Sequence, residues 1–259
     1  MQIESLKRAL AAVLLLLLST ASCGSEDDLY PSRADALGDV ESALERAAAD
    51  DRLALVVLGA DWCHDSEALA RRLDESPLAE LIAEHYEPVL VDIGYYEAGV
   101  DVVQRFGVPI YYATPTVLII DPQTGQLVNE DDRHRWGRAD SISMAESVGY
   151  FEAMAEREAP KAPPEVLLPY LQQLAAFEAA QAARVADGFE VVGPLLRTLD
   201  ETGKRPASFD ERWRELSSFR NAIPKDLRRL RVQIDEMLAM GAQDFEIEFP
   251  DYPPQSWED

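Results

Sequence analysis

Six apolar residues in unbroken succession, Leu53-Ala54-Leu55-Val56-Val57-Leu58, run into Gly59-Ala60-Asp61-Trp62-Cys63 and then into an amphipathic helical pattern. A continuous apolar run that includes β-branched residues predicts a strand buried on both faces. The helical pattern after it passes through Ala68, Leu69, Leu73, Leu78, Leu81 and Ile82, with Pro77 breaking or kinking it. Ahead of the strand, Leu37, Val40, Leu44 and Ala47 recur at three- and four-residue steps and predict another amphipathic helix.

The same alternation continues downstream. Val89 to Ile93 predicts a second strand, Val100 to Phe106 a short helix ended by Gly107, and Thr116 to Ile120 a third strand. Asp121-Pro122-Gln123-Thr124-Gly125 reads as a turn, Gln126 to Val128 as the start of a returning strand, and Ser141 to Arg157 as helix. This order predicts an α/β fold in which a small mixed sheet is covered by helices. Ala159-Pro160-Lys161-Ala162-Pro163-Pro164 marks a linker or stiff elbow. Beyond it, helical spacing recurs at Val166–Phe177 and at Phe209–Arg220, where Trp213, Leu216 and Phe219 share a stripe. A further helix is expected to start at Pro224 and end near Gly241. The expected organisation is a domain over residues 34–158, a helical extension over 165–241, and an acidic, disordered tail over 242–259.

The chemistry concentrates at Asp61-Trp62-Cys63-His64-Asp65-Ser66, a cysteine at a strand-to-helix junction, and at Thr114-Pro115-Thr116 just before the third strand. Together these resemble the active site of the thioredoxin-like superfamily, in which Trp-Cys-x-x-Cys is paired with a cis-proline loop. The resemblance covers about Leu29 to Ala155 and implies a thioredoxin fold, a central mixed sheet flanked by helices, here with a C-terminal α-helical extension. It implies Cys63 as the attacking thiol, Ser66 in the place of the second cysteine, and Trp62, His64, Thr114 and Pro115 around the client. A sulfur in the first helical turn lies near unpaired backbone N–H groups and the positive end of the helix dipole, which favours thiolate. Ser66 is expected to donate a hydrogen bond to that sulfur, protonated His64 to stabilise it, and the Thr114 backbone to pair with an extended peptide.

The chain also departs from the family. Val57 stands where a buried acid is usual, Pro88 about where a lysine is common, and Ile110-Tyr111-Tyr112 adds residues before the Thr-Pro. A lone thiol cannot resolve a mixed disulfide by itself, so monothiol exchange with a protein client or a small thiol is the chemistry that remains. The alternative is a vestigial thiol on a scaffold kept for binding. The tyrosine pairs at 95–96 and 111–112 are expected in core or loop packing, or rimming a groove. His85 is expected at a helix end and His134 in an exposed loop. No ligand spacing demands a metal, and no cofactor is implied.

Lys7 and Arg8 precede an apolar run from Ala9 to Leu18 and the small residues Ser19 to Ser22. The run is about half of what a spanning helix needs and predicts a signal peptide over residues 1–22, followed by a tether over 23–33. Ala21-Ser22-Cys23 resembles the lipobox of bacterial lipoproteins, with Thr20 where the pattern favours Leu. That resemblance implies lipidation of Cys23 and a membrane-anchored protein in the bacterial envelope, facing the periplasm. Ordinary cleavage after Ala21, leaving a secreted protein, stays open. Forty-eight acidic residues against twenty-four basic ones give a formal charge of −24, which repels polyphosphates and makes nucleic acid an unexpected partner. Nothing in the residues indicates an oligomeric state.

Overall fold

The computed structural model describes residues 28–242 and 244–258. The expected signal peptide, Cys23 and the first part of the tether lie outside the described residues. The chain runs through α1 (Ala36–Ala49), β1 (Leu53–Gly59), α2 (His64–Leu73), α3 (Leu78–His85), β2 (Tyr86–Asp92), α4 (Val100–Arg105), β3 (Thr116–Asp121), β4 (Gln126–Leu127) and α5 (Met144–Ala155), and then two long helices, α6 (Leu168–Thr202) and α7 (Phe209–Ala239). A 3₁₀ segment, Arg135–Ser141, precedes α5.

The sheet has the order β2-β1-β3-β4, with β1 parallel to β2, antiparallel to β3, and β3 antiparallel to β4. The doubly buried β1 therefore has a strand on each side. Because side chains alternate across a strand, β1 feeds two separate cores. Leu55 and Val57 pack with Leu69, Tyr86, Val117, Ile119 and Phe151 under α2, α3 and α5. Ala54, Val56 and Leu58 join Val91, Leu118 and α1 on the opposite face. Each buried Leu or Val here contributes about 1.5–3 kcal/mol relative to an exposed position. Pro88 is tolerated inside β2 because β2 is an edge strand. Pro77 stands at the N-cap of α3 and separates it from α2, as its missing N–H demands.

The C-terminal region departs from its expected layout in two ways. Pro224 does not start a helix: α7 is continuous through it, and α6 is likewise continuous through Pro194. A proline inside a helix costs about 3 kcal/mol. The buried stripe Phe219, Ile223, Leu227 and Leu230 offsets that cost by continuing across the proline. The second difference is the tail. Although rich in acids, residues 244–258 lie against the helices rather than being disordered. Phe245 stacks on Tyr170 (4.3 Å) and Phe249 on Phe177 (4.8 Å), while the Trp257 indole N–H donates to the Arg184 carbonyl (2.9 Å). Phe245, Ile247 and Phe249 alternate with Glu246 and Glu248, so an extended chain turns its apolar residues inward and its acids outward.

The two long helices dock on the second core rather than standing apart. Phe189 of α6 stacks on Tyr96 (4.3 Å) and Tyr111 (5.2 Å). At Gly193 a Cβ would lie 2.3 Å from the Tyr95 carbonyl oxygen, so glycine permits the close approach of α6. Arg133 pairs with Glu178 of α6 (3.3 Å), and Arg231 of α7 pairs with Glu130 (2.6 Å). No described helix is long and apolar enough to cross a membrane.

Candidate active site

Cys63 occupies the N-cap of α2 in an extended conformation, φ −101° and ψ 111°. β1 ends at Gly59, the Cys63 N–H bonds back to the Ala60 carbonyl (3.0 Å), and the Cys63 carbonyl accepts the Glu67 N–H (3.0 Å). The strand-to-helix corner thereby holds the sulfur beside the first turn of the helix. Cys63 is half-buried and free, and its thiol donates to the carbonyl oxygen of Thr114 (3.3 Å). The Thr114–Pro115 bond is cis. Two segments far apart in sequence thus meet at the sulfur, as their motifs suggested.

Several expected partners are placed differently. Ser66 is fully buried, but its Oγ has no hydrogen-bond partner and so does not bond the sulfur. The sulfur faces Thr114 instead, and the Ser66 carbonyl receives the hydroxyl of Tyr30 (3.1 Å). His64 points outward, 76% exposed, with Nδ1 3.9 Å from Asp140 Oδ2. Asp65 accepts the Asp140 N–H (2.9 Å), so the two residues after Cys63 tie the helix start to the 3₁₀ segment rather than contacting the thiol. Thr114 is only 5% exposed. Its carbonyl accepts the thiol hydrogen bond, and Thr114 lines a cavity together with residues of α7.

Trp62 is half-buried in an aromatic cluster. Its indole N–H donates to the Gly94 carbonyl (2.7 Å) and its ring stacks on Tyr95 (6.4 Å). Tyr96 (5.2 Å) and Trp213 of α7 (6.3 Å) meet it edge-on. Among the tyrosines expected in packing or at a groove, Tyr96, Tyr111 and Tyr112 are buried in core. His134 is not in an exposed loop: it packs edge-on against Tyr112 (5.5 Å) because α7 covers the segment. Burial, then the charges of Arg133 and Arg228, hold its pKa well below the usual histidine value.

The end of the expected tether belongs to the site. Asp61 Oδ1 accepts the N–H groups of Leu29 (3.1 Å) and Tyr30 (3.3 Å), and the Tyr30 ring lies against Gly59, where a Cβ would come within 2.5 Å of it. Burial, chiefly, raises the pKa of Asp61 despite these two bonds. Burial, then the neighbouring Cys63, pushes the Tyr30 hydroxyl well above the usual tyrosine value. Among the described residues, no group of three His, Cys, Asp or Glu side chains is arranged to hold a metal ion.

A family model described as thioredoxin-like matches residues 35–122, from the cap of α1 to the turn after β3. This part of the chain is a thioredoxin-like domain. Residues 36–155 have a thioredoxin-like fold, a mixed four-stranded sheet flanked by helices, and a C-terminal helical region follows. Among solved structures the chain is similar to the crystal structure of a disulphide isomerase from Xylella fastidiosa Temecula1. That likeness has 28% identity and a TM-score of 0.46, covering 49% of this chain and 96% of the other. No curated protein sequence matches the chain.

The thioredoxin-like domain contains Cys63, Trp62 and Thr114, yet residues outside it complete the site. Arg220 of α7 is 8% exposed, donates to the Tyr96 hydroxyl (3.0 Å), and lies over the Tyr96 (5.3 Å) and Trp213 (5.8 Å) rings. Neither Arg220 nor Tyr30 stands out in the sequence. Trp213 shows there as one member of an apolar stripe, a signal for packing rather than for a place beside the thiol.

Proposed function

We propose that this chain performs monothiol thiol–disulfide exchange through Cys63. The observation that carries the reading is the half-buried free thiol at the start of α2, facing the Thr114 carbonyl across 3.3 Å. The Cys63 thiolate attacks one sulfur of a disulfide, a new S–S bond forms to Cys63, and the other sulfur leaves as a thiolate that takes up a proton. Ser66 supplies no resolving thiol, so a second thiol, from the client or from a small molecule, must attack the mixed disulfide and return Cys63 to its reduced form. The chain then undergoes no net oxidation.

The match to a thioredoxin-like family model supports exchange chemistry in general. Envelope anchoring belongs to the same proposal: lipid on Cys23 would hold the domain near a membrane, since the chain is latched to Asp61 again by Leu29. A second reading, a binding module without exchange, draws on Trp213 covering Trp62.

The test uses the chain carrying Cys23→Ser, so that Cys63 is the one thiol. Incubation with hydroxyethyl disulfide should give a mixed disulfide mapped to Cys63 by mass spectrometry and released by added thiol. Absence of that adduct, under conditions in which a free cysteine peptide reacts, would favour the binding module.

A further inference from the structure

A cavity of about 490 Å³ opens beside Thr114, between the 3₁₀ segment and α7. Its wall is cationic: Arg135 and Arg138 on one side, and Arg220, Lys225 and Arg228 on the other. Among the described residues no acidic side chain lines it, although the chain carries twice as many acids as bases. Most arginines elsewhere are in ion pairs. Among the described residues these five cations make no salt bridge, although Arg220 donates to the Tyr96 hydroxyl and Arg228 to the Asp131 carbonyl.

The lining is also short of hydrogen-bond partners. His134 Nδ1, Arg135 Nε and Arg220 Nε, on residues of the lining, are buried and unpartnered. Arg220 is itself more than nine-tenths buried. Buried polar groups are ordinarily satisfied, and unsatisfied ones gathered around a single cavity indicate a missing polar occupant. Gathering like charges there is unfavourable unless an anion offsets it. Thr114 lines the cavity, and its carbonyl accepts the hydrogen bond of the Cys63 thiol (3.3 Å), so the cavity and the sulfur share this residue.

We infer that this cavity binds the carboxylates of a low-molecular-weight disulfide and presents its sulfur to Cys63. The inference rests on the exchange reading and gives that reading a substrate class. The size of the cavity and the wall formed by α7 suit a small molecule rather than an extended polypeptide. The step remains the one described above: Cys63 attacks, a carboxylate-bearing thiol leaves with the proton, and a second thiol of the same class reduces the mixed disulfide. Arginines provide two-pronged contacts to carboxylates, which fixes orientation as well as charge.

The experiment compares mixed-disulfide formation at Cys63, in the Cys23→Ser chain, with three small disulfides: dithiodipropionate (anionic), hydroxyethyl disulfide (neutral) and cystamine (cationic). The net charge of −24 by itself would favour cystamine. The expected order is the reverse, with dithiodipropionate reacting about tenfold faster than the neutral reagent at low salt and the advantage shrinking as salt screens it. In the exposed double variant Lys225→Gln/Arg228→Gln the anionic-to-neutral ratio should fall toward one, while Arg157→Gln, away from the cavity, keeps the ratio of the parent. Equal rates for all three disulfides, or a preference for cystamine, would overturn the carboxylate site and leave exchange standing. No reaction with any of them would overturn the exchange reading itself.

Discussion

Trp213 meets Trp62 edge-on with ring centres 6.3 Å apart, so a side chain of the last long helix covers the residue next to the thiol. The same indole stacks with Phe209 (5.6 Å) and lies beneath the Arg220 guanidinium. The helical region is thereby part of the site's wall. Aromatic pairs of this kind contribute about 0.5–1.5 kcal/mol beyond the area they bury.

Replacing that indole tests whether α7 shields the thiol. Trp213→Ala should lower stability by about 2–3 kcal/mol in urea unfolding. It should also raise the alkylation rate of Cys63 under native conditions, read by iodoacetamide labelling. Unchanged alkylation would show that Trp213 packs without gating access.

Gly193 tests the docking of α6. Its Cβ position lies 2.3 Å from the Tyr95 carbonyl oxygen, an atom of the backbone that cannot rotate away. Gly193→Val should cost about 2–3 kcal/mol through this overlap, seen as a lower melting temperature. Because Tyr95 stacks on Trp62, the tryptophan fluorescence should change as well.

The latch at the N-terminal end can be released separately. Asp61→Ala removes the acceptor for the Leu29 and Tyr30 N–H groups, and Tyr30→Phe removes the bond to the Ser66 carbonyl. Each should lower stability by about 1 kcal/mol. Asp61→Ala should in addition speed proteolysis near Leu29, whereas Tyr30→Phe, which keeps both N–H bonds, should do so less.

Tyr150 contributes to an alkaline limit. Burial, before any other influence, pushes its hydroxyl from 10.0 up to about 12, while its oxygen accepts a hydrogen bond from Asn129 (3.3 Å). The folded state holds this proton more tightly than the unfolded chain does. The associated stability is complete below pH 10 and is lost as pH climbs from there to about 12. Two units correspond to an upper bound of about 3 kcal/mol. In urea titrations at rising pH, Tyr150→Phe should lose less stability than the parent across that window.

Much of the domain was legible because local pattern and final burial agree there. The run Leu53–Leu58 is apolar throughout and both faces of β1 are covered; Pro77 separates two helices; the two motifs meet at Cys63. Local pattern misled where distant packing outweighs it. Pro224 carries a strong local signal for a helix start, but the apolar stripe beneath it continues and holds one helix across it. The tail's acids suggested disorder by composition, while its alternating aromatics set which side packs.

The amino-acid order by itself determined the strands and helices of the domain, the placement of a single thiol at a helix start, and the absence of a second cysteine beside it. These follow from periodicity and residue identity, which act over a few neighbours. Only the tertiary structure decided that His64 turns away from the sulfur, that Ser66 Oγ goes unpartnered, and that Tyr30, Trp213 and Arg220 surround the site. Those outcomes depend on which surfaces α6 and α7 cover, and a side chain's direction at a crowded junction is set by neighbours distant in sequence, whose positions no local pattern encodes.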